Sequence, residues 1–226
     1  MPYRAVLVDV DGTLVDSNDA HARAWVDALA EGGRRVAFLR ARPLIGMGSD
    51  KLLPALTGIP ADSPEGERLV SLRNEIFRRE YLPTLQPTRG AQRLLEWLRD
   101  DRLQLIVATS AKPEELEGLL EVAGATRLID AASSSGDVDR SKPDPDIVHA
   151  ALDKAGCDPH EAIFIGDTPY DIAAGSRAGV PVIALRCGGW WGDRAFRGAV
   201  AIYDDPDDLV DNYLLSPFKR PLALSR

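Results

Sequence analysis

Arg4-Ala5-Val6-Leu7-Val8-Asp9-Val10-Asp11-Gly12-Thr13-Leu14 is the stretch that decides the fold. Ala5 to Val8 is unbroken and apolar, as expected of a strand buried on both faces of a parallel sheet. Two aspartates then arrive one residue apart, and a glycine follows. A buried carboxylate without a partner is costly, and two together are worse. The pair is therefore read as a strand end whose side chains reach a cation, at the carboxyl edge where open α/β sheets place their ligands. The competing reading is a surface turn with two solvated acids, and the apolar strand before it argues against that.

The chain has 226 residues, enough for one large α/β domain or a core carrying a smaller insert. A formal net charge of -8 argues against a nucleic-acid backbone or an anionic membrane as partner. An anionic small substrate needs local cations to hold it. Cys157 and Cys187 have no metal-type spacing and read as reduced thiols of a cytoplasmic protein. The start, Met1-Pro2-Tyr3-Arg4, shows no signal-peptide apolar region, and no apolar run approaches the ~18 residues of a membrane span.

From Ser17 to Leu85 the pattern is all helix. Ser17 or Asn18 can cap a helix ending at Gly32-Gly33, with Ala20, Ala24 and Ala28 on one stripe and His21, Trp25 and Leu29 on the next. Gly46-Met47-Gly48-Ser49 reads as a loop before a short helix that Pro54 should shorten or bend. Pro60 to Pro64 reads as a linker. Leu69, Leu72, Ile76, Phe77 and Tyr81 mark a longer helix. From Pro87 strand and helix alternate. Strands are expected at 103–108, 128–132, 162–165, 180–185 and 199–202, with helices around 91–98 and at 113–123, 143–155, 170–178 and 206–214. That alternation is the signature of a doubly wound, Rossmann-like parallel sheet. The expected organisation is a catalytic core of residues 1–16 and 86–226 with an inserted all-helical cap of residues 17–85.

Polar residues collect at the strand ends: Thr109-Ser110 after one strand, and Gly166-Asp167-Thr168-Pro169-Tyr170-Asp171 after another. Ser141-Lys142-Pro143-Asp144-Pro145 lies between them, its prolines stiffening the loop that carries Lys142. At one sheet edge, Asp9, Asp11, Asp167 and Asp171 would face one ammonium and one hydroxyl. That balance implies a divalent cation, and all-oxygen ligation selects Mg²⁺ over zinc. With Mg²⁺ and Lys142 present, the site can accept a dianionic phosphate, with Thr109 and loop amides as donors.

Asp9-Val10-Asp11-Gly12-Thr13, Thr109, Lys142-Pro143 and Gly166-Asp167-Thr168-Pro169-Tyr170-Asp171 resemble the four ordered motifs of the haloacid dehalogenase-like hydrolase superfamily. The resemblance covers essentially the whole chain. The helical insert is similar to the small-cap class that includes phosphoglycolate phosphatase-like and β-phosphoglucomutase-like enzymes. The resemblance implies that Asp9 is the nucleophile forming an aspartyl-phosphate and that Asp11 is the general acid/base. It also implies Mg²⁺ held by Asp9, Asp167 and the Asp11 carbonyl, with Asp171 supporting the ligands from behind. Thr109, Ser110 and Lys142 are expected at the phosphate, Lys142 also restraining the Asp9 charge. Gly12 lets the chain turn sharply after the acids.

An aspartate at position 11 favours phosphate esters, since halide displacement needs no proton donor. His21 either assists Asp11, as the matching histidine does in the mutase branch, or packs at the cap junction. Ser49 and Lys51 in the cap loop are candidate substrate contacts, Lys51 as a substitute for the arginine that the mutases have close to the Ser49 position. Arg73, Arg78 and Arg79 read as a solvated helix face. Gly188-Gly189-Trp190-Trp191-Gly192 is either a substrate-edge loop or a packing or dimer contact, and Cys187 a core or loop thiol. Asp204, Asp205, Asp207 and Asp208 read as caps of the last helix. The expected function is a Mg²⁺-dependent, cytoplasmic phosphatase of small phosphorylated metabolites, monomeric or homodimeric. The alternatives are a sugar-phosphate mutase on the same site and, more remotely, a phospho-accepting signalling domain.

Overall fold

A computed structural model describes residues 3–219. Six parallel strands form one sheet: β1 (Ala5–Val8), β2 (Gln104–Ala108), β3 (Ala131–Ser133), β4 (Ala162–Gly166), β5 (Val182–Leu185) and β6 (Ala201–Tyr203). Their order is β3-β2-β1-β4-β5-β6, so the chain reverses direction across the sheet beside β1. Val8 pairs with Val107 on one side and Ile165 on the other. Three strands therefore end level, and the residues that follow them share one edge. That crevice, at the switch in strand order, is where doubly wound sheets bind ligands.

Alternating strand residues feed two cores, as a sheet covered on both faces requires. Val6, Val8, Leu105, Val107, Ile163 and Ile165 pack with α5 (Ala91–Asp100), α6 (Pro113–Val122) and α9 (Pro206–Asp211). Leu7, Ile106, Phe164 and Ala184 pack with α7 (Asp146–Ala155) and α8 (Pro169–Ala178) on the other face.

Between β1 and α5 the chain forms only helical elements. These are α1 (Asn18–Glu31), α2 (Phe38–Ala41), α3 (Ser49–Thr57) and α4 (Pro64–Ile76), the last continued by a π-turn at Phe77–Tyr81, with 3₁₀ turns at Arg42–Leu44 and Leu82–Thr84. The two stripes read on α1 face different partners. Ala24 and Ala28 join the sheet's core, whereas Trp25 and Leu29 join a separate apolar cluster with Ile45, Leu52, Leu53 and Leu69.

Several boundaries differ from the sequence reading. α2 was not foreseen. Pro54 does not shorten α3, which runs on to Thr57 and stops at the left-handed Gly58. α4 begins at Pro64, because the Ser63 hydroxyl accepts from Gly66 N at 3.1 Å. α7 starts three residues after Pro143, since prolines at 143 and 145 keep the intervening chain out of the helix. Leu128 and Ile129 form a turn on Ala125, which delays β3 to Ala131. β6 likewise starts at Ala201, and the last helix ends at Asp211 with a 3₁₀ turn at Tyr213–Leu215. Among the described residues no helix is long and apolar enough to cross a membrane.

Candidate active site

Asp9 follows β1 directly and is held in line by its own N–H, which donates to Ile165 O at 2.9 Å. Lys142 reaches it from the loop before α7. Its Nζ donates to Asp9 Oδ1 at 2.5 Å and to Asp171 Oδ1 at 2.7 Å, with all three side chains buried. Asp171 sits in the first turn of α8 in a capping box, its Oδ2 accepting from Thr168 N at 3.0 Å and Thr168 Oγ1 at 2.6 Å. Lys142 and Thr168 thus occupy both of its oxygens.

Asp167 follows β4. Its Oδ1 accepts from Thr13 Oγ1 at 3.1 Å and its Oδ2 from Asn18 Nδ2 at 2.7 Å. Carboxylate oxygens of Asp9, Asp167 and Asp171 lie within 4.8 Å of one another. A Cβ on Gly12 or on Gly188 would overlap Asp167 Oδ2, so both glycines are needed for the backbone to pass this close. Gly12 also has a φ of 78°, in the left-handed region.

Three buried acids against one ammonium leave this cluster over-acidic. Burial, then the neighbouring Asp171, pushes the Asp167 carboxyl up to about 7. Burial and the surrounding acids raise Asp9 well above the carboxylate range, despite Lys142. Burial works against the Lys142 ammonium, but Asp171 and Asp9 outweigh it and hold the charge in place. A divalent cation fits here. The donors are all oxygen, the two glycines clear space beside Asp167, and the buried Asn18 Oδ1 has no partner among the described residues.

Asp11 lies in a different setting. Its Oδ1 accepts from Ser17 Oγ at 2.6 Å and pairs with His21 Nε2 at 2.6 Å. Burial raises this carboxyl, but the contact with His21, the Ser17 hydroxyl and Arg73 together bring it below its ordinary value. Ser17 occupies the N-cap position of α1 without capping it, because its hydroxyl is spent on Asp11. Behind His21, Arg73 Nη2 meets Nδ1, and Arg73 Nη1 donates to Glu115 Oε1 at 2.7 Å and Oε2 at 3.0 Å. An arginine can only donate, so Nδ1 is the acceptor and the His21 proton sits on Nε2, facing Asp11. The His21 ring stacks on Phe77 with centroids 4.0 Å apart. His21 thus packs at the junction and also touches Asp11.

The expectation that Arg73 lies on a solvated face is overturned. It is buried, whereas Arg78 and Arg79 are exposed. Lys51 is also not at the site, because it pairs with Asp144. Thr109, Ser110 and Ser49 do line a small compartment of about 60 Å³ with Asp9, Asp11, His21 and Arg73. Thr109 Oγ1 accepts from Ala111 N at 3.1 Å, and Ser110 Oγ donates to Gly46 O at 3.3 Å. Of the acids near α9, Asp205 caps the helix and Asp208 receives Asp204 N, while Asp207 turns away to Arg89 and Arg93.

The sequence pattern of the haloacid dehalogenase-like hydrolases matches residues 6–185. The chain belongs to this family. An N-acetylmuramic acid 6-phosphate phosphatase of Pseudomonas aeruginosa is 33% identical to this hydrolase over 217 residues, covering 93% of this chain and 95% of that one. A phosphoglycolate phosphatase of Rhodospirillum rubrum is 30% identical over 218 residues, covering 92% and 90%. The crystal structure of a hydrolase from Pseudomonas syringae superposes on this one with a TM-score of 0.86 at 30% identity, covering 92% of this chain and 97% of that chain.

The sequence reading of this hydrolase missed Thr13 and Asn18 on Asp167, the Arg73–Glu115 pair, and Arg42. Arg42 is buried, pairs with Asp19 within the helical segment and ties that segment to the Gly188 carbonyl. Thr13 stood inside the first motif, so its place beside the acids was available as a signal. An arginine pair that forms between distant helices leaves no mark in either helix alone.

Proposed function

We propose that this chain is a Mg²⁺-dependent phosphatase of small phosphate monoesters, working through an aspartyl-phosphate on Asp9. The observation that carries this reading is a buried Asp9 on Lys142, opening with Asp11 and Thr109 onto one compartment of phosphoryl size. Phosphatase relatives that align over nearly the whole chain support it. Asp9 and Asp167 would hold Mg²⁺ with the Asp11 carbonyl, and the ion would offset the charge of the acids and of the phosphoryl oxygens.

In the first step an Asp9 oxygen bonds to phosphorus and the bond to the leaving oxygen breaks, that oxygen taking a proton from Asp11. In the second step water bonds to phosphorus, Asp11 takes the water's proton, and the Asp9–phosphorus bond breaks to release phosphate. The Ser17 and His21 hydrogen bonds favour the Asp11 carboxylate that the second step needs. A phosphate dianion entering the compartment opposes that charge and favours the protonated form that the first step needs.

Residues 17–85 act as the cap in this reading. The segment has its own apolar cluster, and its two connections run side by side, Asp16 N donating to Gln86 O at 3.0 Å and Val15 bridging Pro87. Such paired connections suit a hinge. Two free thiols and the acidic surface agree with cytoplasmic work on small metabolites.

The His21–Asp11 contact also suits a mutase. Against a mutase, Lys51 is engaged by Asp144 and does not line the compartment. The test is phosphate release from a panel of sugar phosphates, phosphoglycolate and nucleotides, with Mg²⁺, with a chelator, and with Asp9→Asn. Steady release that stops in the chelator and in Asp9→Asn is expected. Undiminished release in either would overturn the assignment, and turnover that requires a bisphosphate activator would favour the mutase.

A further inference from the structure

The catalytic compartment is too small for a whole substrate. Its volume of about 60 Å³ corresponds to roughly two waters at ~30 Å³ each, about the size of one phosphoryl group. Ser49, Asn74, Lys112 and Glu115 line both this compartment and an open cavity of about 930 Å³ outside it. These four residues form a neck, and the organic part of a bound ester has to pass through it. The outer cavity lies between α3 and α4 on one side and the start of α6 on the other. Its size suits a sugar or a larger group, and Ser49, Ser71 and Asn74 offer hydroxyl and amide partners for hydroxyls.

The charge on its walls is one-sided. Asp50, Asp62, Glu67, Glu114 and Asp139 line it, against Arg78 and the neck residue Lys112. Glu115 does not add to the excess, since Arg73 neutralises it. Asp62, Glu67, Glu114 and Asp139 are exposed, so their field acts on whatever enters.

We propose that this cavity is the leaving-group subsite, selecting phosphate esters of neutral or cationic polyhydroxyl or amino-sugar groups over esters with a second anionic group. The inference rests on the phosphatase reading above. The cavity makes the site and sets the size of the group, and the walls set its charge. A carboxylate or second phosphate beyond the neck meets like charge from both the helical segment and the core. An ammonium in the same place is attracted.

The test compares kcat/KM for glucosamine 6-phosphate, glucose 6-phosphate and 6-phosphogluconate with Mg²⁺, using p-nitrophenyl phosphate as a probe whose leaving group carries no net charge for the walls to select. At low salt the amine ester should exceed the carboxylate ester by about tenfold, with the neutral ester between them, and ~0.5 M salt should shrink the ratio. The combined substitution Asp62→Asn, Glu67→Gln, Glu114→Gln should lower the ratio by about threefold or more and leave p-nitrophenyl phosphate turnover within about twofold. None of the three residues lines the catalytic compartment. A carboxylate ester that is turned over as well as the amine ester would overturn the proposal. A ratio unmoved by both salt and the triple substitution would do the same. Failure of p-nitrophenyl phosphate itself would remove the phosphatase reading, and this inference with it.

Discussion

Asp9 and Asp11 stand two residues apart and are pushed in opposite directions. Asp9 faces Lys142 within a group of acids that burial leaves short of positive charge. Asp11 is surrounded by donors and by the Arg73 charge. Asp9→Asn should therefore abolish turnover and also raise the melting temperature of the metal-free protein, because it removes an acid from an over-acidic cluster. A fall in melting temperature would contradict that account of the cluster. Asp11→Asn should cut kcat by about 10²–10⁴ while the fold stays intact by circular dichroism. Arg73 acts one step further back, fixing the His21 tautomer and lowering Asp11. Arg73→Met leaves Glu115 buried and alone, at a cost of about 3–5 kcal/mol in denaturant unfolding, whereas adding Glu115→Gln should recover part of that. In the double variant the limb of the pH–rate profile that Asp11 sets should move upward, since one of the charges lowering Asp11 is gone. A profile that does not move would separate Arg73 from the Asp11 proton.

At the scale of elements, the site exists because β1, β2 and β4 end in register and the turns after them approach very closely. Gly188, in the turn after β5, lies against Asp167, and Gly192 four residues later has nothing among the described residues within 4 Å of a Cβ. Gly188→Ala should abolish the rise in melting temperature on adding Mg²⁺ and lower activity steeply, while Gly192→Ala should change neither. Equal behaviour of the two would show that the clearance at Gly188 is not needed. β1 was legible in the sequence because a central parallel strand is apolar at every position, and Asp9 and Asp11 mark where it stops. The helices closed by Gly156 and Gly179 were legible for a similar local reason: each glycine takes a left-handed conformation that ends its helix. α2 has only four residues, too few for a periodic pattern to show. Arg73 was misread because the period of α4 shows one apolar face and cannot show that a second helix system covers its polar side. Ser17 was misread because an N-cap serine and a serine bonded to Asp11 look identical in sequence. The meeting of Asp9, Lys142, Asp167 and Asp171 could be foreseen from strand ends, but the Thr13 and Asn18 bonds that orient Asp167 depend on tertiary approach.

At the scale of the molecule, one excess of buried negative charge links folding, metal and pH. Unfolded, Asp167 titrates near ~3.9, whereas burial and Asp171 push it up to about 7 in the metal-free fold. Between these values the folded protein binds more protons than the unfolded chain, so stability falls as pH rises through the window and levels off above about 7. Asp11 has the opposite sign: its lowered carboxyl adds stability that is lost only as pH falls below the ordinary carboxylate range, outside this window. A cation bound between Asp9 and Asp167 takes the place of the proton, so its binding releases protons and strengthens as pH rises toward about 7. In a chelator the melting temperature should therefore drop between pH ~5 and ~7, while saturating Mg²⁺ should remove most of that drop. The gap between the two melting curves should widen with pH across the window and then stay constant. A gap that is already full at pH ~5, or that closes as pH rises, would mean that the ion does not replace protons on these acids, and the cluster would then need another source of balance.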